Sequence, residues 1–303
     1  MKKKYRFGKY NVEASHLDKI FFPDAGLTKG DIIEYYKRIA EFMIPHMKDR
    51  PVTMHRFPDG IDGNDFYHKN IPDYFPEWID RTTAEKEGGE VTYVVCNNSA
   101  TLVYIANQAC ITPHIWLSRH DRINYPDKLI FDLDPPEGVE DISPVIFAAK
   151  RIREILEESG LKPFIMTSGS KGYHVVAPIK REHTFEEVRE YAKRTAKLLA
   201  KHESGRLTTE TLKEKRKGRV FLDYLRNSYG ATSVSPYALR AKPGAPVAAP
   251  IHWDELENVP PRRFKLTNIF DRLDDIGDPW KDIFRHLRSL EKAIGSIEKA
   301  KRS

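Results

Sequence analysis

The run Lys128-Leu129-Ile130-Phe131-Asp132-Leu133-Asp134, halted by Pro135-Pro136, constrains this chain more than any other stretch. It has the length and apolar content of a buried strand, yet it carries two acids. On a strand, residues i and i+2 project from one face, so the Asp132 and Asp134 carboxylates converge. Two such anions repel unless a positive charge sits between them, and a divalent metal is the usual answer. Metal pairs about 3.5–4 Å apart activate an attacking oxygen and steady a leaving pyrophosphate. Glycosyltransferases and nucleases also use such pairs, and a strand that simply ends in acids before a proline turn reads the same way. The motif alone names no reaction.

Composition narrows the class. The chain has 303 residues, 40% hydrophobic and 11% aromatic, enough for a sizeable core in one large domain or two small ones. Mean hydropathy is −0.57, and no long uncharged apolar run suggests a membrane span. Basic residues at the start have no apolar stretch behind them, so no secretory signal is expected and a cytoplasmic setting is. Cys96 and Cys110 lie in no C-x-x-C, which argues against a disulfide framework or a structural zinc site. Fifty Lys+Arg against 44 Asp+Glu give a net charge of +6, a weak hint of a polyanionic partner.

Patterning predicts helices over 28–49, 100–111, 143–160 and 184–202. Thr184 and Glu187 form a capping box, and Ser143 caps with Pro144 at the first helical position. Strands are predicted at 51–56, 128–134, 163–167, 173–179 and 219–224, an extended segment at 241–250, and a basic helical tail from Trp280. Strands and helices mix without strict alternation, which predicts an α+β fold with mixed or antiparallel central sheets flanked by helices.

Between two of the strands lies Ser168-Gly169-Ser170-Lys171-Gly172-Tyr173-His174. Its glycines permit a tight turn close to an anion, and its hydroxyls, amides and the Lys171 ammonium can donate to phosphate oxygens. An ordinary glycine hairpin would read the same way. His174 could contact a phosphate or a sugar. Asp223 sits inside the apolar run from Val220 to Leu225, where an unpaired carboxylate costs several kcal/mol. It needs a cation, either a metal or the nearby Arg226. Arg216, Arg219, Arg226 and Arg240 are candidates to clamp a triphosphate.

The order of D-x-D, S-G-x-x-G-x-H and an apolar-Asp strand resembles the archaeo-eukaryotic primase superfamily. Phe131 to Pro135, Thr167 to Val175, Phe221 to Asn227 and Pro236 to Ala241 resemble the polymerase domain of prokaryotic Ligase D, the primase-polymerase of non-homologous end joining. The likeness runs from about Ser15 to Trp280. It implies a single primase-polymerase domain, with template and 5′-phosphate contacts in about 1–110, the catalytic core in about 111–250 and a helical extension over 251–303. It also implies Asp132, Asp134 and Asp223 as ligands of two divalent ions, manganese favoured over magnesium, with Asp223 helping to activate the primer 3′-hydroxyl. His114 would lie near the incoming nucleotide's ribose. Ser168, Ser170, Lys171, His174 and Arg240 would bind the triphosphate, with Arg216 and Arg226 as active-site arginines.

The resemblance further implies a pocket for the 5′-phosphate downstream of a gap. Lys19 and Lys29 stand at its two lysine positions, and His16 replaces the usual Asn. Phe66 and Tyr67 match an aromatic pair that stacks on the template strand. The implied activity is template-directed addition of nucleotides, ribonucleotides preferred, to fill short gaps at double-strand breaks. Rival readings are a two-metal nuclease, a de novo primase and a non-catalytic end-binding module. No K-x-D-G adenylation motif occurs in the sequence. A ligase, a phosphoesterase and a Ku-like homodimer are therefore expected as separate partners.

Overall fold

The computed structural model describes residues 1–136, 138–139 and 141–300. Three residues of the expected basic tail, 301–303, lie outside them, as do Glu137 and Glu140. The chain forms two compact units, each assembled from three stretches: 1–121, 232–249 and 264–277 make unit 1, and the remainder makes unit 2. These units cut across the three consecutive subregions expected from the sequence.

Unit 1 opens with the hairpin β1 (Lys2–Phe7) and β2 (Tyr10–Ser15), followed by β3 (Ile20–Phe22) and β4 (Leu27–Thr28). Next come α1 (Lys29–Met47), β5 (Pro51–Arg56), β6 (Phe66–His68), β7 (Arg81–Lys86), β8 (Gly89–Val95), α2 (Ser99–Asn107) and β9 (Cys110–Trp116). Unit 2 supplies β10 (Lys128–Asp134), α3 (Ser143–Glu158), β11 (Phe164–Thr167), β12 (Tyr173–Pro178), α4 (Phe185–His202), β13 (Leu207–Thr208) and β14 (Val220–Asp223). The chain returns to unit 1 with β15 (Thr232–Val234), to unit 2 with β16 (Pro250–Ile251), to unit 1 with α5 (Ile269–Ile276), and ends in unit 2 with α6 (Glu291–Ala300).

Each unit has one large sheet. In unit 1 the order is β15-β9-β5-β8-β7, with β6 paired to β5. The return of β15 to the β9 edge explains why that unit is discontinuous. In unit 2 the order is β13-β14-β10-β12-β11-β16, antiparallel throughout except for the β13–β14 pair. Helices α3 and α4 cover this sheet, so β10 is buried along its apolar length, with Leu129, Phe131 and Leu133 at 0% exposure. The expected α+β class with mixed sheets is borne out. Among the described residues no helix is long and apolar enough to cross a membrane.

Four local expectations need correction. The apolar run 100–111 is not one helix: α2 stops at Asn107, Ala109 takes a left-handed φ of 64°, and Cys110 and Ile111 open β9. Ser143 is inside α3 rather than its cap, and its amide and hydroxyl both donate to Asp141. The 241–250 segment is not extended, because Leu239 pairs back onto Val247 across a turn. The tail from Trp280 is not a continuous helix. The Trp280 ring is 1% exposed and anchored to the Ile165 carbonyl, a short 3-10 turn follows, and only then does α6 begin.

Candidate active site and phosphate pocket

In unit 2, sheet register gathers the acids. Asp132 on β10 stands opposite Asp223 on β14 and opposite His174 on β12, so three polar side chains form one row across the sheet. Cross-strand partners share a face, with Cβ atoms about 4.5–5.5 Å apart. Asp134, two residues along, falls on the same face opposite Phe221.

Close polar contacts hold the row together. His174 Nε2 lies 3.2 Å from Asp132 Oδ1, and Arg226 Nε lies 3.5 Å from both Asp132 Oδ2 and Asp223 Oδ2. The sequence-level alternative, Arg226 as the partner of Asp223, is therefore realised. The Leu225 amide also donates to Asp223 Oδ1 at 2.8 Å. Burial pushes the Asp223 carboxyl above its usual range and Arg226 pulls it back. Among the described residues Asp134 has no cation so close. Burial first, and the neighbouring Asp132 second, raise it to about 6, partly offset by Arg216. The Arg216 guanidinium sits 4.0 Å over the Phe221 ring and donates to the carbonyls of Glu210 and Thr211.

The turn beside this row is built for closeness. The Ser168 amide donates to the Gly172 carbonyl at 2.9 Å, and Ser168 Oγ accepts from the amides of Ser170 and Gly172. Two amides expected to face phosphate are thus used inside the turn. A Cβ on Gly172 would stand 1.7 Å from the Leu133 carbonyl oxygen, so only glycine fits where the turn passes β10. Gly169 takes φ 62°. Lys171 is exposed at the turn's tip, and the Ser170 carbonyl accepts from Arg262, a contact sequence reasoning missed.

Three carboxylates without a thiol suit a hard divalent cation such as Mg²⁺ or Mn²⁺, and the raised pKa values of Asp134 and Asp223 show that the cluster favours added positive charge. Among the described residues no three His, Cys, Asp or Glu side chains stand arranged as a ready-made metal cage.

Unit 1 holds the other predicted residues. His16, Lys19 and Lys29 line one pocket of about 230 Å³, together with Phe21, Arg56, Asn107 and Gln108. Its walls are tied by the backbone: the Lys29 amide donates to the Lys19 carbonyl at 2.8 Å and Gly30 to Leu17 at 2.9 Å. Asn107 accepts from the Ser15 amide, and the Ser15 carbonyl accepts from Lys29 Nζ at 2.9 Å. Lys29 is 7% exposed, and burial, then Lys19 and Arg56, lower its ammonium to about 8. Lys19 Nζ donates to Asp59 at 2.5 Å. His16 is exposed at φ 55°, its Nδ1 3.1 Å from Ser15 Oγ. Residues 16, 29, 56 and 107 are distant in sequence. Arg56, Asn107 and Gln108 carried no sequence signal that would place them there.

Phe66 and Tyr67 sit on β6, 43% and 57% exposed. Tyr67 stacks on His55 with centroids 4.0 Å apart and meets His114 edge-on at 5.6 Å, while the Arg56 guanidinium lies 5.4 Å over Phe66. His114 thus joins an aromatic cluster of β5, β6 and β9, in which His55 was not foreseen. Arg240, also in unit 1, donates its amide to the Pro246 carbonyl.

Comparison with known proteins accords with this geometry. The family model described as LigD, primase-polymerase domain, matches residues 28–280. The chain is 32% identical over 269 residues to the multifunctional non-homologous end joining protein LigD of Mycolicibacterium smegmatis, covering 88% of this chain and 35% of that one. It is 30% identical over 277 residues to the bifunctional LigD of Bacillus subtilis, covering 91% and 44%. The chain therefore spans less than half the length of these relatives. The polymerase domain from Mycobacterium tuberculosis Ligase D in complex with DNA superposes with a TM-score of 0.85 at 31% identity, covering 91% of this chain and 99% of that one.

Proposed function

The chain belongs to the LigD primase-polymerase domain family, and from that premise we propose that it is a template-directed nucleotidyltransferase of DNA end joining. It would add nucleotides, ribonucleotides in preference, to primer 3′ ends and so fill short gaps. The observation that carries this reading is the row of His174, Asp132 and Asp223 with Asp134 on the same face, next to a tight glycine turn. Asp132, Asp134 and Asp223 would hold two divalent ions, manganese favoured. When bound, such ions lower the charge barrier between attacking and leaving oxygens.

The chain's own residues do the positioning. Asp223 accepts a hydrogen bond from the primer 3′-hydroxyl and draws its proton away from the attacking oxygen. Ser168, Ser170, Lys171 and His174 hold the triphosphate. Arg216 and Arg226 place fixed positive charge beside the phosphates, which is where most of the acceleration in such displacements arises. By the family resemblance alone, Arg240 would contact the triphosphate and His114 the ribose. In unit 1, His16, Lys19 and Lys29 take the downstream 5′-phosphate, and Phe66 and Tyr67 stack on template bases. The DNA complex of the Mycobacterium tuberculosis domain supports a DNA substrate. Ku-like, ligase and phosphoesterase partners follow from the end-joining reading.

The test is extension of a gapped primer in manganese with rNTP or dNTP. Asp132→Ala with Asp134→Ala is expected to lower the rate by at least about a hundredfold to a thousandfold. Undiminished extension by that variant sinks the assignment, and triphosphate-independent shortening of the primer would make the protein a nuclease instead.

A further inference from the structure

We propose that the outer face of the β1–β2 hairpin is a second phosphate-contact surface, which holds the internucleotide phosphates of the duplex downstream of the gap. It rests on reading the pocket of His16, Lys19 and Lys29 as the 5′-phosphate site only for where that duplex starts.

Strand alternation sorts the hairpin's side chains between two faces. Tyr5, Val12 and Ala14 are buried on the inner face, which packs on α2. Lys2, Lys4 and Arg6 belong to the outer face, opposite Ser15, Glu13 and Asn11, and all of these but Ser15 are exposed. The outer face therefore carries three bases and one acid. Glu13 stands opposite Lys4 but pairs with Lys2, 3.3 Å away. Among the described residues Lys4 and Arg6 are held in no ion pair. Lys3, on the inner side, is by contrast neutralised by Glu34 at 2.6 Å. The surplus of positive charge thus lies on the exposed face, where it complements a polyanion.

This face is continuous with the pocket. The Ser15 carbonyl, opposite Lys2, accepts from Lys29 Nζ at 2.9 Å, and the Ser15 amide donates to Asn107 of the pocket wall at 3.2 Å. Asn107 in turn donates to the Glu13 carbonyl at 3.2 Å. Toward the turn, Tyr10 stacks on Trp78 with centroids 4.8 Å apart. Both ends of the hairpin are thus fixed, and its cations are presented on a preorganised strand. Alternate strand residues recur about every 6.8 Å, so Lys2, Lys4 and Arg6 span about 14 Å leading away from the pocket. That is the rise of about four base pairs. A duplex seated by its terminal phosphate and running along this row meets cations over its first few base pairs.

The experiment measures the affinity of the full chain for 5′-phosphorylated gapped DNA by fluorescence anisotropy across a series of salt concentrations. One DNA has ordinary linkages. In the other, about six linkages of each strand at the start of the downstream duplex are neutral methylphosphonates, enough to cover the row. Lys4→Gln with Arg6→Gln should keep the parent's melting temperature, because both side chains are exposed. On ordinary linkages its slope of log affinity against log salt should be shallower by about 2, so the parent loses about tenfold more affinity between about 50 and 200 mM salt. On neutral linkages the parent should behave as the variant does. Equal slopes on ordinary linkages mean that the hairpin meets no phosphate, and a difference that survives on neutral linkages means that it touches the DNA elsewhere; either overturns the inference. Equal binding of 5′-phosphate and 5′-hydroxyl ends by the unaltered protein removes the pocket reading alone, since the linkage comparison judges the hairpin independently.

Discussion

Asp134 is held at an energetic disadvantage. Burial and Asp132 lift its carboxyl to about 6, above the ordinary value of 3.8. Between those two limits the folded chain binds more protons than the unfolded chain, so stability falls as pH rises through the window and the loss is complete above it. In chelator-treated protein at neutral pH, Asp134→Asn should therefore be more stable by on the order of 2 kcal/mol. Its melting temperature should also vary less between pH 4 and 6 than that of the unaltered chain, while extension is lost. A melting temperature at or below the parent's would contradict this balance. Gly172 illustrates a different residue-scale demand. Gly172→Ala drives a methyl into the Leu133 carbonyl, and thermal unfolding should show a loss of 3 kcal/mol or more, on the order expected of severe overpacking. Gly169→Ala, strained by its φ of 62°, should lose about 1–2 kcal/mol. The sequence marks both glycines as a tight turn. Which of them the fold cannot replace depends on β10 passing beside Gly172, and no local signal carries that.

At the scale of elements, what was legible follows the range of the interaction. Capping is local, and the box of Thr184 with Glu187 starts α4 where the polar spacing predicts, while Thr28 with Asp31 forms a second box at the start of α1. The 100–111 run misleads because apolar residues suit a buried helix and a buried strand equally; the break is made by Ala109 in a left-handed conformation without a glycine to announce it. The aromatic cluster is long-range in the same sense. Thr53 pairs with His114 and His55 with Tyr67, so one strand joins a loop strand to a residue some sixty positions on. Tyr67 packs against His55 yet stays 57% exposed, so truncating it removes little of the core. Tyr67→Ala should then weaken binding to DNA with a single-stranded template by about 1–3 kcal/mol and leave the melting temperature within about a degree. A large fall in melting temperature with unchanged affinity would make the ring structural.

For the whole molecule, a net charge of +6 says nothing of where the charges gather. Unit 2 concentrates Asp132, Asp134 and Asp223, each raised or neutralised by its surroundings, whereas unit 1 concentrates Lys19, Lys29 and Arg56 around one pocket. Composition reports only a total and no such local clusters, which is why it is a poor guide to a partner. The clusters separate chemistry from grip. Removing cations from unit 1 reduces the number of counterions that DNA releases on binding, and each phosphate contact contributes roughly −0.9 to the slope of log affinity against log salt. Lys19→Ala with Lys29→Ala should therefore bind gapped, 5′-phosphorylated DNA more weakly, with a slope shallower by about 2. Asp132→Ala with Asp134→Ala should abolish extension yet leave that slope no shallower than the parent's, since it removes acids and no phosphate contact. Binding titrations at four salt concentrations decide the matter. If the lysine variant keeps the parent's slope, its cations meet no phosphate; if the aspartate variant loses slope, the acidic row is itself part of how the protein holds DNA.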